Sequence, residues 1–421
     1  MRLNQRTERS VKIAGREKLS KVARPAGVLL PVTVLSYFLW LAGTGIRAGS
    51  SHDDLMNMWR AWRDPWPRLL LENICFLAFP TANRPFGQLF YKTFFDLFDL
   101  NPLPFRICIF TVLIANLYLA YLLARRLTGS AAAGYLASLL HGFHVGFMPL
   151  YCDTGTCYDV FCFFFYVAAL CYYTGARQGG RRLGRRQQIV LLALYICALD
   201  SKEVAVTLPV MIVAYEVIYQ MPRWQGFSVF AAWARKDLVV ASWGLFFAVL
   251  FVVFKVNGSG GLGRTEGYSP TIRLSTYLKN LHLIVDQVFL IRGAAVLNEQ
   301  VLIVLLVIML GAGMWVKSPP IRFAVVFFLL GIGPVGFFAV PRGMYAAYIP
   351  LLGLALIAAS SIVNIGVWAL RHIDPVWWVK VSSPGGHLNV VVCPLRRFCH
   401  PASAILRGQR DPSGRLERRT V

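Results

Sequence analysis

The sequence predicts an all-α polytopic membrane protein with about ten transmembrane helices. Of its 421 residues 57% are hydrophobic and only 15% are charged, and the mean hydropathy is +0.55. A soluble domain is usually about 45–50% apolar and about 25% charged. Each span needs roughly 20 apolar residues, so the chain is long enough for a large bundle. Because the apolar character extends along most of the length, it indicates many spans.

Basic residues greatly outnumber acidic ones. The chain has 43 Lys and Arg against 20 Asp and Glu, a formal net charge of +23 and a pI near 10.0. In a membrane protein such an excess is typical of cytoplasmic loops, where it sets the orientation, and anionic head groups favour it further. We therefore predict membrane lipids, and no nucleic acid, as partners of this charge.

Composition divides the chain into three segments. Residues 1–24 form a basic cytoplasmic segment, residues 25–370 a transmembrane domain, and residues 371–421 a basic cytoplasmic tail whose Pro, Gly, Ser and Arg content predicts disorder. The apolar run at 26–46 is too long for the core of a signal peptide. It predicts a retained first span, and hence a multi-pass protein of the inner (plasma) membrane with a cytoplasmic N-terminus.

Hydropathy and loop charge together locate the spans and two interfacial helices. Residues 68–80 and 85–98, in the first outer loop, are apolar but short and interrupted by charge, which predicts amphipathic helices lying in the interface. Basic residues recur in alternate loops, as the positive-inside bias requires. The predicted spans are 26–46, 105–124, 131–150, 159–175, 187–199, 204–220, 238–256, 300–316, 321–340 and 344–367.

The few acidic residues gather in predicted outer loops. Asp53 and Asp54 follow the first span, and Asp153 lies in the next outer loop. Carboxylates at one face of a bilayer are costly and indicate a functional site. One carboxylate can act as general base toward a hydroxyl, and another can orient the acceptor or hold Mg²⁺ or Mn²⁺. Metal dependence stays open, with these three residues as the candidate ligands.

The same charged residues also have purely structural interpretations. Asp53 could cap a helix that begins near Leu55, and Asp153 could be an ordinary turn residue. Glu203 could favour a helix start through the helix dipole, and Arg342 could anchor at the interface.

The histidines and cysteines predict no metal site. His141 and His144 share a helix face inside a predicted span, where bonds to neighbouring carbonyls account for them better than a metal ion does. Cys152 and Cys157 are able to pair as a disulfide if their loop faces an oxidising compartment.

Taken in order, several segments resemble the GT-C superfamily of membrane glycosyltransferases. The likeness is to bacterial relatives of the protein O-mannosyltransferases and of the transmembrane, tetratricopeptide-containing O-mannosyltransferases. It covers roughly residues 26–367 and rests on these segments: "HDDLMNMW", "NRPFGQLFY", "FMPLYCDTGTCYDVFCFFF", "LDSKEVAVTLPVMIVAYE" and "PRGMYAAYIPLLGLAL". The fourth is the most specific.

The resemblance implies an enzyme of protein glycosylation type. It would transfer a sugar from a polyprenyl-phosphate donor, with inversion, to a hydroxyl of a protein, glycolipid or polysaccharide on the outer face. The catalytic residues would be Asp53, Asp54 and Asp153, with the choice of base open between the first two. The residues that bind the substrate or the donor phosphate would be Arg84, Lys202, Glu203 and Arg342.

Two other functions remain open at this stage. A transporter or flippase for lipid-linked sugars would favour internal repeats and a site at the midplane of the membrane, whereas here the charged residues lie at one face and no repeat is found. A catalytically inactive membrane scaffold would keep the fold without transfer activity.

Overall fold

The structure is a computed structural model, and it describes residues 31–74, 84–222, 226–256, 261–264, 269–289, 299–316 and 318–372. Within these ranges the regular elements are helices, and the β pairing is limited to one isolated bridge between Pro270 and Phe338. The prediction of an all-α protein is confirmed. The predicted N-terminal segment 1–24 and the tail beyond His372 lie outside the described residues.

Sixteen α-helices are present in the described part of the chain, besides short 3-10 and π turns. They are α1 (31–42), α2 (His52–Arg63), α3 (Trp66–Ile74), α4 (Pro85–Phe98), α5 (Pro102–Thr128), α6 (Ala131–Gly142), α7 (Met148–Cys152), α8 (Cys157–Arg177), α9 (Arg185–Ser201), α10 (Leu208–Tyr215), α11 (Phe227–Asp237), α12 (Val239–Leu250), α13 (Leu274–Phe289), α14 (Glu299–Trp315), α15 (Pro319–Gly336) and α16 (Tyr348–His372).

The chain divides into a compact unit, Met1–Asn364, and a second unit, Ile365–Val421. Of the second, the structure describes the last turns of α16.

Several helical stretches suit a membrane. Five are long and apolar enough to cross one, and a sixth is added if α11 and the following helix, which meet at 68°, form one broken span. A helical protein with several membrane-spanning segments is thereby supported, and the count of ten stays a prediction. The five stretches are Pro102–Thr128, Thr154–Arg177, Glu203–Gln220, Pro319–Gly336 and Met344–Ala369.

The predicted span at 131–150 is wrong as a continuous helix. α6 ends at Gly142, and a short 3-10 turn over Val145–Phe147 precedes α7. The reason is a side-chain cap: the ring Nδ1 of His144 accepts the Gly146 N–H at 3.1 Å and starts a new turn.

α8 forms the centre of the core. Its Phe/Tyr-rich sequence packs inside: Phe161, Phe163, Tyr166 and Tyr173 are all buried. The carbonyl of Val160 on α8 accepts a hydrogen bond from Asn116 of α5 at 3.0 Å. Aromatic burial on this scale positions the first residues of α8, which carry the site described below.

The far end of α8 carries an ion-pair cluster. Arg177 donates to both carboxylate oxygens of Glu216, at 2.7 and 2.6 Å, and lies 3.1 Å from Asp237. Arg182 pairs with the same Asp237 at 3.0 Å. These two arginines belong to the basic residues of a predicted loop, where loop charge by itself indicates only the orientation of the chain. They also join α8 to the end of α10 and to α11.

The chain between α1 and α5 is helical for much of its described length. α4 confirms the predicted helix at 85–98, and burial differs along it: Phe90 and Tyr91 are buried, whereas Leu97 and Phe98, in its last turn, are exposed. Of the other predicted interfacial helix, the part up to Ile74 falls in α3, and residues 75–83 lie outside the described residues.

Candidate functional site

The first charged cluster is built on the N-terminus of α2. The Ser51 hydroxyl accepts the Asp54 N–H at 3.1 Å, and Asp54 Oδ2 accepts the Ser51 N–H at 2.8 Å, so the two residues form a capping box. The helix therefore begins at His52 with Ser51 as its cap. The alternative in which Asp53 caps a helix near Leu55 is wrong, because Ser51, two residues earlier, is the N-cap and accepts the Asp54 N–H.

Asp54 points into the protein. The residue is 2% exposed, its Oδ1 accepts the Tyr91 hydroxyl at 2.8 Å, and Arg106 lies 3.7 Å from its Oδ2. Burial raises the pKa of the Asp54 carboxyl above its ordinary value of 3.8, and the Ser51 N–H, Tyr91 and Arg106 oppose that rise. Burial also raises the pKa of Tyr91 well above its usual value, which keeps its hydroxyl a donor.

Asp53 points outward beside Asp153. Asp53 is exposed, and a Cβ placed on Gly155 would lie 2.7 Å from Asp53 Cβ and 3.0 Å from Asp153 Oδ1. Asp153 Oδ1 itself accepts the Ser51 hydroxyl at 2.7 Å and the Gly155 N–H at 2.8 Å. The three acids that the sequence selected are thus brought together, with Ser51 as the link.

A second charged cluster lies at the junction of α4, α8 and α9. Arg84 donates to both oxygens of Glu203, at 3.1 to 3.3 Å, and Lys202 forms an ion pair with Asp159. Two bases thereby face two acids, so the cluster is balanced in charge. Lys202 and Glu203 are adjacent because α9 ends at Ser201 and the chain passes through extended backbone into a 3-10 turn.

The start of α8 joins the two clusters. Tyr158 lies under Arg84, whose guanidinium carbon is 5.2 Å from the ring centre, and its hydroxyl donates to Asn57 of α2 at 2.8 Å. The two clusters therefore belong to one polar region.

Arg342 lies in a different setting. Its guanidinium carbon is 5.6 Å from the centre of the Phe338 ring. Tyr345, three residues later, contacts the second cluster, with its ring centre 5.3 Å from Lys202 Nζ. A role of Arg342 in binding the donor phosphate stays a prediction.

Metal ligands do not converge here. Among the residues that the structure describes, no group of three or more His, Cys, Asp or Glu side chains is arranged to hold a metal ion. Asp54 is buried, and Asp153 Oδ1 accepts hydrogen bonds from Ser51 and Gly155. Cys152 and Cys157 are both free thiols rather than a disulfide, with Cys157 buried at the start of α8.

Sequence reasoning missed Ser51, Tyr91, Tyr158 and Arg106. The first carries a readable signal, since Ser51-x-x-Asp54 has the spacing of a capping box. Arg106 carries one too, because an arginine inside an apolar span is unusual. It is 1% exposed, its Nη2 donates to the Gly49 carbonyl at 2.9 Å, and its Nε and Nη1 have no hydrogen-bond partner among the described residues.

Comparison of the chain with protein-family models, with curated proteins and with solved structures finds no match in any of the three.

Proposed function

We propose that this protein is a GT-C-type membrane glycosyltransferase that uses a polyprenyl-phosphate sugar. The proposal rests on a difference between two adjacent carboxylates: Asp53 is exposed, whereas Asp54 is 2% exposed and hydrogen-bonded. A general base must reach the hydroxyl that it deprotonates. Asp53 meets this condition. Asp54, through its bonds to Ser51 and Tyr91, holds the start of α2 and thereby the position of Asp53.

The proposed reaction is a single inverting displacement. Asp53 takes the proton of the acceptor hydroxyl, whose oxygen forms a bond to C1 of the sugar. The bond between C1 and the phosphate oxygen breaks, and the polyprenyl phosphate leaves with the electron pair. Asp153, beside Asp53 and fixed by Ser51, is placed to orient the acceptor.

Arg84 and Lys202 support the leaving phosphate in this proposal. Both are already paired with acids, and the Arg84 side chain is 18% exposed against 8% for Lys202. Arg84 is therefore the more accessible of the two, and a planar guanidinium can bridge a carboxylate and a phosphate together. Glu203 is assigned the role of holding Arg84. Arg342, over the Phe338 ring, has the weakest support.

The placement in the cell belongs to the same proposal. The carboxylates would face the outer side of the inner (plasma) membrane, with the N-terminus in the cytoplasm, as loop charge predicts. The acceptor would be a hydroxyl of a protein, a glycolipid or a polysaccharide.

The test is sugar transfer by the purified protein. The protein in detergent is incubated with a panel of polyprenyl-phosphate sugars, and the release of polyprenyl phosphate is followed. Asp53→Asn should lower the rate by about a thousandfold, the scale for the loss of a general base. Asp99→Asn is the matched control, because Asp99 is exposed and belongs to neither charged cluster.

Two outcomes would contradict the proposal. An Asp53→Asn variant as active as the wild type would remove Asp53 as the base. Binding of the same lipids without release from any donor would favour a flippase or an inactive scaffold.

A further inference from the structure

A cavity of about 450 Å³ lies apart from both charged clusters. None of its lining residues belongs to either cluster. Its walls come from the end of α6, the end of α13, α14 and α16, and the volume is within the range of ligand sites. Apolar residues dominate the lining: Leu140, Phe147, Val288, Phe289, Met309, Leu351, Leu354, Ala355, Ile357 and Ala358, with His141, His144 and Ser361 as the polar members.

His141 is the unexplained group in this wall. It is 1% exposed, and neither ring nitrogen has a hydrogen-bond partner among the described residues. The ring packs against Phe163 and Tyr348, at centroid distances of 4.9 and 4.8 Å, and these two rings also contact each other at 4.5 Å. The predicted satisfaction by a carbonyl holds for His144, which bonds to the Val288 carbonyl at 2.8 Å, and is wrong for His141. An orphaned buried polar group requires an explanation.

Water does not explain it well. A buried water needs two to four polar partners, and apolar cavities stay dry. His144, the nearest polar neighbour along the chain, already uses both ring nitrogens, on Val288 and Gly146. Ser361 is then the one other polar side chain among the described lining residues, so a water at His141 has few partners. A ligand that supplies one polar group and an apolar body would satisfy the ring and fill the cavity.

We propose that this cavity binds one chain of a neutral lipid and that His141 hydrogen-bonds to the lipid's hydroxyl. A hydroxyl both donates and accepts, so it suits either neutral tautomer of the imidazole. No Asp, Glu, Lys or Arg is found among the described lining residues, so an anionic head group would be buried without a counter-charge.

The length of the cavity fits one acyl or alkyl chain. Its α16 wall runs from Leu351 to Ser361, which at the helical rise is roughly 15 Å. That is about half of the ~30 Å hydrocarbon core, the depth of one leaflet. This inference does not depend on sugar transfer, and each can fail without the other.

The test is photolabelling with a long-chain alcohol that carries a diazirine next to its hydroxyl. We expect saturable labelling of the peptides that contain the end of α6 and the start of α16. Unlabelled oleyl alcohol should compete better than oleic acid or oleyl phosphate. His141→Phe keeps the aromatic stack and removes both nitrogens, and it should weaken competition by the alcohol about tenfold, the scale of one or two hydrogen bonds.

Cavity filling supplies the second variant. Ala355→Phe should abolish saturable labelling, and Ala193→Phe, at an exposed position on α9, should leave it unchanged. Thermal unfolding confirms that each variant is folded, and Ala358→Val replaces Ala355→Phe if the latter is not.

Three results would overturn the proposal. They are the absence of saturable labelling in the wild type, stronger competition by oleyl phosphate than by the alcohol, and an unchanged affinity in His141→Phe.

Discussion

The hydroxyl of Ser51 donates a hydrogen bond of 2.7 Å to Oδ1 of Asp153, 102 positions later in the chain. The same hydroxyl caps α2 by accepting the Asp54 N–H. One small side chain thus connects the helix that carries Asp53 and Asp54 to the loop that carries Asp153. The relative placement of the three acids depends on this serine.

Ser51→Ala should lower both stability and activity. Loss of an N-cap costs about 0.5–2 kcal/mol, and loss of the bond to Asp153 frees that carboxylate. Differential scanning of thermal unfolding measures the first effect, and polyprenyl phosphate release the second. Ser130→Ala is the matched control, because Ser130 caps α6 through the Ala133 N–H and contacts none of the three acids. Equal losses of activity in both variants would contradict the link to Asp153.

The stability of the protein should depend on pH through Asp54. Its pKa in the folded state is raised by burial above 3.8. The folded state therefore holds the proton more tightly than the unfolded state, and this contribution to stability is present below about pH 4. It is lost as the pH rises through the folded-state pKa.

The variant Asp54→Asn isolates that effect, because its neutral amide cannot lose a proton. Unfolding temperatures measured from pH 3.5 to 7 should show the wild type losing stability relative to Asp54→Asn as the pH rises. Tyr91→Phe, which removes a hydrogen bond that favours the charged form, should make the decline steeper. If the unfolding temperature of the wild type instead rises relative to that of Asp54→Asn as the pH increases, this assignment is contradicted.

Arg84 and Glu203 should be strongly coupled in stability. Removal of one partner leaves a buried charge, and the expected cost of Arg84→Met is about 3 kcal/mol. Arg84→Met combined with Glu203→Gln should recover much of it, since no uncompensated charge remains. Urea unfolding of the two single variants and the double variant gives the coupling energy. Additive losses would show that the pair contributes no more than its separate residues.

Gly155→Ala should impair activity more than stability. The new Cβ would meet Asp53 Cβ at 2.7 Å and Asp153 Oδ1 at 3.0 Å, which forces the two acids apart. The cost in stability should be about 1–3 kcal/mol, typical of overpacking, and the rate of polyprenyl phosphate release should fall at least tenfold, because even small misplacements of catalytic groups are costly. Gly43→Ala, where a Cβ meets nothing within 4 Å, is the control. A Gly155→Ala variant with wild-type turnover would remove the requirement for this close approach.

Much of the site could be selected from sequence because acids are rare in this chain. An acidic residue near a membrane is conspicuous for its cost, so Asp53, Asp54 and Asp153 were identified without coordinates. Their roles could not be separated in the same way. Which of two adjacent carboxylates faces inward depends on the phase of α2, and that phase is set by the Ser51 cap and by Tyr91 from α4.

The sequence by itself determined that the protein is helical and apolar, where α4 lies, and which loop residues bear charge, since these follow from composition and local periodicity. The tertiary structure alone decided the partners: Arg84 with Glu203, Lys202 with Asp159, and Arg177 with Glu216. It also showed that His141 lines an apolar cavity and has no hydrogen-bond partner among the described residues. The physical reason is that hydrogen bonds and ion pairs join residues tens of positions apart, and only the packing of helices brings such residues within reach.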